Sequence, residues 1–185
     1  MTVMTKREMR AFLRTLHNNE ADRREQSRMV CCHILNSEAY LHAGVIAGYV
    51  PMKHEADITP VLEHALQAGK VLVLPRCGKA PEMTLHKVAA LNELISGAYD
   101  IPEPAEDALM IPAEAVDLML VPLEGIDKNG YRLGKGGGYY DHILQGRNIP
   151  AMGCALRWQM VEVLPRDMWD IPLRMCATPD GVYNF

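Results

Sequence analysis

Three short apolar runs in this chain of 185 residues each stop at a proline: Ala43 to Val50 before Pro51, Val71 to Leu74 before Pro75, and Asp117 to Val121 before Pro122. Runs of roughly four to eight apolar residues mark strands buried on both faces, and proline cannot donate to the ladder that would extend them. Between the first two runs Thr59-Pro60 supplies a helix start, with Thr as N-cap and Pro in the first turn, and Val61 to Ala68 then runs to Gly69. A strand, a helix and a second strand of the same kind predict a βαβ unit and a parallel sheet. In such a sheet, ligands sit beyond the carboxyl ends of the strands.

The other segments extend this alternation. Apolar residues at helical spacing predict helices over Met4 to His17, Asp22 to Leu35 and Tyr139 to Gln145. Ala151 to Ala155 and Met175 to Thr178 are read as further buried strands, Pro81 to Val88 as an alternating edge strand, and Leu91 to Pro104 as mostly loop. The expectation is one α/β domain over residues 1–185, with about six strands and helices on both sides of a mostly parallel sheet.

Charge narrows the partners. Nineteen basic against 23 acidic side chains give a net charge of -4, a field that repels polyanions, so nucleic acid is not expected. Met1 to Arg10 has no apolar signal region, and no run reaches the roughly 18 apolar residues of a membrane span, which points to a cytoplasmic protein. Five cysteines, Cys31, Cys32, Cys77, Cys154 and Cys176, form no C-x-x-C pair and are read as buried thiols. The histidines show no zinc spacing.

Chemistry is expected at Gly134, Gly136, Gly137 and Gly138, which surrender chain entropy without packing in return. Glycines let successive backbone N–H groups turn towards an anion, Arg132 and Lys135 add positive charge, and the helix from Tyr139 would present its N-terminus to a phosphate. The stretch is neither a Walker A loop nor a dinucleotide fingerprint, because Gly136 stands where Ser or Thr is required and Tyr139 where the third glycine belongs. A flexible surface loop is the alternative. On the first helix Lys6, Arg10 and Arg14 share a face, which suits either solvent or a polyphosphate. Glu55, after the first strand, stands where ligands bind, or is simply solvated.

Taken together, Arg132-Leu133-Gly134-x-Gly136-x-Gly138-Tyr139-Tyr140-Asp141, Lys6-x-x-Met9-Arg10, the Glu-containing segment Tyr49 to Thr59, Ile101-Pro102-Glu103-Pro104 and the ending Pro165 to Pro179 resemble the 5-formyltetrahydrofolate cyclo-ligases, also called methenyltetrahydrofolate synthetases. The resemblance spans nearly the full length. It departs at Leu173-Arg174 and at Leu123 to Ile126. It implies a three-layer, Rossmann-like fold of the coenzyme A transferase kind, acting as a monomer on a reduced folate.

The implied reaction is ATP- and magnesium-dependent closure of 5-formyltetrahydrofolate to 5,10-methenyltetrahydrofolate through an iminium phosphate, with release of ADP and phosphate. By the same resemblance, Lys6, Arg7 and Arg10 join Arg132, Leu133, Gly134, Lys135, Gly136, Gly137, Gly138, Tyr139 and Tyr140 at ATP. Val50 and Glu55, with Lys135 to Tyr139, would contact the folate, Asp141 and Asp170 would hold magnesium, and Arg132, Lys135 and Tyr139 would act in the chemistry. Tyr140 is equally suited to the core. A binding module that never turns its ligand over and an enzyme acting on a phosphosugar or coenzyme A ester are the competing readings.

Overall fold

The computed structural model describes residues 4–16, 19–97 and 100–185. Its helices are α1 (Lys6–Thr15), α2 (Glu20–Leu35), α3 (Glu38–His42), α4 (Thr59–Gln67) and α5 (Tyr139–Leu144). The strands begin with β1 (Val45–Ala47), β2 (Val71–Cys77), β3 (Met83–Val88), β4 (Ile95–Ser96), β5 (Pro102–Glu103) and β6 (Met110–Ile111). They continue with β7 (Leu118–Val121), β8 (Gly125–Asp127), β9 (Arg132–Leu133), β10 (Ala151–Cys154), β11 (Met160–Val161), β12 (Met175–Thr178) and β13 (Gly181–Asn184).

An eight-stranded sheet runs in the order β13-β12-β10-β7-β1-β2-β3-β6. From β12 to β2 every neighbouring pair is parallel, whereas β13 at one edge and β3 and β6 at the other are antiparallel. One face is covered by α2, α3 and α4 around Val30, Ile34, Tyr40, Val61 and Leu62. The other carries Ile143 and Leu144 of α5 against Val73, Met119 and Val121. This is the expected α/β sheet with helices on both faces. Each fully buried Val or Leu on these surfaces contributes about 1.5–3 kcal/mol, and that burial, rather than the propensity of helices this short, holds the layers together.

Local differences from the sequence reading have identifiable causes. Strand β2 does not stop at Pro75 but continues to Cys77. Val71 N donates to Gly44 O and Val73 O accepts from Gly48 N, so odd-numbered residues face β1, whose last rung is Ala47 with Val73. Pro75 therefore lies past the end of β1, where no donor is needed. Thr59 is the first residue of α4 rather than its cap, and its N–H donates instead to Asp57 Oδ1 at 3.0 Å. The expected strand over Ala43 to Val50 is confined to 45–47, the helix from Tyr139 ends at Leu144, and Leu91 to Pro104 contains the β4–β5 pair. Of the expected helix over Met4 to His17, Lys6–Thr15 is observed; His17 lies outside the described residues, as do Ala98 and Tyr99 of the expected loop. Cys32 is exposed, against the reading of all five thiols as buried.

The strand order places the site. The chain leaves β1 for β2 on one side and later enters β7 on the other, so β1 and β7 flank the point where the winding direction reverses. The loop carrying Glu55 follows β1, and the segment carrying the glycines follows β7 through a small sheet ordered β11-β8-β9. Both candidate loops thus leave the carboxyl ends of adjacent strands, where ligands bind in open α/β sheets.

Candidate active site

The glycine stretch links β9 to α5, and its root is fixed by main-chain contacts. Asp127, fully buried, accepts from Asn129 N and Tyr131 N through Oδ1 and from Leu164 N and Arg166 through Oδ2. Gly130 follows at φ 79°, and a Cβ there would lie 2.2 Å from Leu173 O, so only glycine fits. Leu173 N in turn donates to Gly130 O at 2.8 Å. Leu173, where the sequence departs from the family pattern, is thereby the residue that docks the C-terminal segment beside the loop.

Arg132 emerges from this root almost wholly buried. Its Nη1 donates to Ile171 O at 2.8 Å, and its Nη2 lies 2.9 Å from Asp141 Oδ1. That second approach is off the line of the N–H bonds, so Nη2 is ion-paired yet makes no hydrogen bond. Burial lowers the guanidinium's pKa, while Asp141 opposes the shift. A buried donor without an aligned acceptor calls for a partner that the chain does not itself supply, an ordered water or a ligand.

Asp141 Oδ1 also accepts from Ile171 N at 3.1 Å, leaving Oδ2 without a hydrogen-bond partner among the described residues. Asp170 is differently placed. Both its oxygens accept from Lys6 Nζ at 2.6 Å, and Oδ2 also accepts from Asp167 N at 2.7 Å. Lys6 reaches Asp167 as well, at 2.8 Å. Asp141 can therefore offer an oxygen to a cation as it stands, whereas Asp170 must first release Lys6. No cluster of three or more potential metal ligands occurs among the described residues.

Helix α1 delivers its cations through packing. Thr5 and Glu8 form a reciprocal capping box at its start, and Leu13 packs against Leu133 and Leu164. Lys6 then meets Asp170, Arg10 Nε donates to Gly134 O at 2.7 Å, and Arg14 forms a two-pronged pair with Glu124. The stripe is therefore docked rather than solvated; its three cations touch three segments of the site. Arg7, off the stripe, is exposed. Gly136, at φ 103°, faces Arg10, where a Cβ would come within 3.4 Å of Nη2.

On the far side of the loop, Lys135 Nζ lies 3.0 Å from Glu55 Oε1 and touches Met52 Sδ. Glu55 is buried, not solvated, and its Oε2 accepts from Met52 N at 2.8 Å. Tyr139 folds its ring over Gly137, and its hydroxyl donates to Gly78 O at 3.4 Å. Val50 lines an open cleft of about 260 Å³ with Arg23, Met52 and Asp57.

Two of the residues expected at ATP turn their side chains to the core. Leu133 is buried under α1, and the Tyr140 side chain packs on the core beneath α5, where burial raises its pKa. Neither side chain faces the loop. The expected helix dipole is also small, because α5 has only six residues. Conversely, Asp127, Asp167, Glu124 and Gln159 were not read from the sequence as site residues. Gln159, buried, donates to His54 O and Leu123 O and so ties the Glu55 loop to the exit of β7. Of these, Asp127 carried a signal, since Asp127-x-Asn129-Gly130 is a turn sequence in which the Asp side chain caps its own loop.

Known proteins share both sequence and shape with this chain. The 5-formyltetrahydrofolate cyclo-ligase family profile matches residues 2–179. The chain belongs to that family. The cyclo-ligase of Escherichia coli K12 is 30% identical over 175 residues, covering 87% of this chain and 92% of the relative. Among solved structures, the Aquifex aeolicus 5,10-methenyltetrahydrofolate synthetase superposes with a TM-score of 0.86 at 34% identity, covering 98% of this chain and 93% of that one. A Mycoplasma pneumoniae 5,10-methenyltetrahydrofolate synthetase, at 21% identity and a TM-score of 0.74, shares the fold over 95% of this chain and 99% of its own. Segments of the family pattern meet at this site, Lys6 with Asp170, Arg10 with Gly134 and Glu55 with Lys135. No described helix is long and apolar enough to cross a membrane.

Proposed function

We propose that residues 1–185 act as one cyclo-ligase domain that converts 5-formyltetrahydrofolate to 5,10-methenyltetrahydrofolate at the expense of ATP. The observation that carries the reading is Arg132, a buried guanidinium with an unspent donor beside a carboxylate with an unspent oxygen, at the loop where the family pattern is sharpest.

A formyl oxygen is a poor leaving group, and phosphorylation makes it a good one. The γ-phosphoryl passes to that oxygen as its bond to ADP breaks, N10 attacks the resulting iminium carbon and gives up its proton to solvent, and phosphate departs carrying the formyl oxygen. Such a transfer needs positioning and neutralisation of charge more than a protein nucleophile. Arg132 and Lys135 stabilise charge on the migrating group, and Lys6 and Arg10, with Arg7 nearby, hold the remaining phosphates along the backbone of Gly134 to Gly138. Glu55 accepts from the N–H edge of the pterin, and Val50 and Tyr139 give its ring apolar surface. Asp141, together with Asp170 if Lys6 turns to phosphate, would hold magnesium, which would supply further charge neutralisation on the phosphate oxygens.

The Lys135–Glu55 pair spans the boundary between the nucleotide and folate sides. Release of Lys135 by an incoming pterin on Glu55 frees that cation at the moment the formyl group arrives. The test mixes protein with 5-formyltetrahydrofolate and follows the methenyl chromophore with and without Mg-ATP. Nucleotide-dependent appearance is expected; no chromophore, or one indifferent to nucleotide, sinks the proposal. The reading also places a monomeric enzyme in the cytoplasm.

A further inference from the structure

The cations assigned above to ATP meet its phosphates, Leu133 and Tyr140 pack their side chains on the core, and Tyr139 is given to the pterin, so no side chain is yet assigned to the base. A purine ring binds through stacking and apolar contact, for which the phosphate loop has no provision. The turn that clamps Lys6 does. Asp170 N donates to Asp167 O at 3.1 Å, so residues 167–170 form a tight turn whose two ends are the carboxylates on Lys6. At its tip stand Met168 and Trp169, 95% and 64% exposed. Turn tips ordinarily carry small or polar residues. Here two large apolar side chains are held in water by a scaffold anchored at three points: Lys6 to the Asp167 and Asp170 carboxylates, Asp167 N to Asp170 Oδ2, and Ile171 O to Arg132.

We infer that Trp169, flanked by Met168, is the platform on which the purine base of the nucleotide stacks. The inference rests on the ATP reading of the site. An indole at the tip of a turn already fixed to the phosphate-binding cations is presented at small further cost in conformational entropy, and its face stays available to a flat ring. Tyr139 is placed otherwise, since its ring folds over Gly137 and its hydroxyl donates to Gly78 O. Stacking alone reads the flat face of a base and not its edge, so adenine and guanine nucleotides would be held with similar strength, whereas a bare triphosphate would gain nothing from Trp169.

Calorimetric titration with Mg-ATP and with inorganic triphosphate separates these contributions. In Trp169→Ala, ATP is expected to bind about tenfold more weakly while triphosphate binds as it does to the unaltered protein. Trp169→Phe should restore most of the difference, and ATP should quench tryptophan emission in the parent protein but not in that variant. Equal weakening of both ligands would make the turn a support for Lys6 only and overturn the stacking. Unchanged ATP binding would overturn it too, and if it came with altered sedimentation it would turn Trp169 into a contact between copies. If the unaltered protein binds neither ligand, the ATP reading itself fails, and the platform with it.

Discussion

Arg132 and Lys135 stand three residues apart on one loop, each beside a carboxylate, but their settings differ. Arg132 is buried, tied to Ile171 O and Asp141, and backed by a turn in which Lys6 binds two further carboxylates. Lys135 is exposed and pairs with a single carboxylate, Glu55, beside Met52 Sδ. The first arrangement is preorganised: its groups are aimed before any ligand arrives, and the desolvation cost is met on folding. The second joins a solvent-facing cation to a buried carboxylate that also accepts from Met52 N, so a ligand that satisfies Glu55 can take the place of Lys135. One active site can thus carry a fixed charge for the transition state and a mobile one that responds to substrate.

The sharpest way to break this contrast is to delete each cation in turn. Arg132→Ala should lower turnover by about 10³-fold. It should also cost about 3 kcal/mol of stability in urea denaturation, because Asp141 loses its buried partner. Lys135→Ala should lower turnover by about 10²-fold and cost about 1 kcal/mol of stability, less than Arg132→Ala because the buried Glu55 carboxylate keeps Met52 N as a donor. If the two variants lose equal stability, the distinction between fixed and mobile charge is wrong. A smaller effect separates the two aspartates. Asp141→Asn is expected to raise the magnesium concentration for half-maximal rate by about tenfold, and Asp170→Asn by less, since Asp170 is already engaged by Lys6. Titration of the rate with magnesium decides the order.

The smallest effect concerns Lys6. Burial lowers its pKa, but hydrogen bonds to Asp167 and Asp170 outweigh that and leave it raised above 10.5. The folded chain therefore keeps this proton to higher pH than the unfolded chain, so the pair stabilises fully below about pH 10.5 and its contribution is lost as pH rises through the folded value. Urea midpoints of the parent and Lys6→Met should differ at neutral pH and converge above that point. A constant difference would show that Lys6 acts through packing of its stem.

Strong periodicity is what made the fold readable in advance. Val71 to Leu74, Leu118 to Val121 and Ala151 to Ala155 carry no polar side chain because the parallel centre of the sheet is covered on both faces. The two-residue strands β6, β9 and β11 carry no period, and β13 exposes one face, so neither they nor the small sheets could be read. Pro75 misled because a proline ends a strand only where a partner needs its N–H. In the site, the glycines and their cations were legible because local sequence sets backbone freedom and charge. Asp167 and Glu124 were not, since each acquires its role from a helix more than a hundred residues away, and nothing local distinguishes a solvated carboxylate from one that will meet Lys6 or Arg14.

The clamp on Lys6 joins residues 164 positions apart. During synthesis, the glycine segment leaves the ribosome well before the turn at 167–170, and until that turn has docked, α1 lacks its carboxylate anchor. A nascent chain stalled before this point would hold its sheet centre and its glycine segment yet lack the finished pocket, so nucleotide would report on completion of the chain and would protect only full-length protein against proteases.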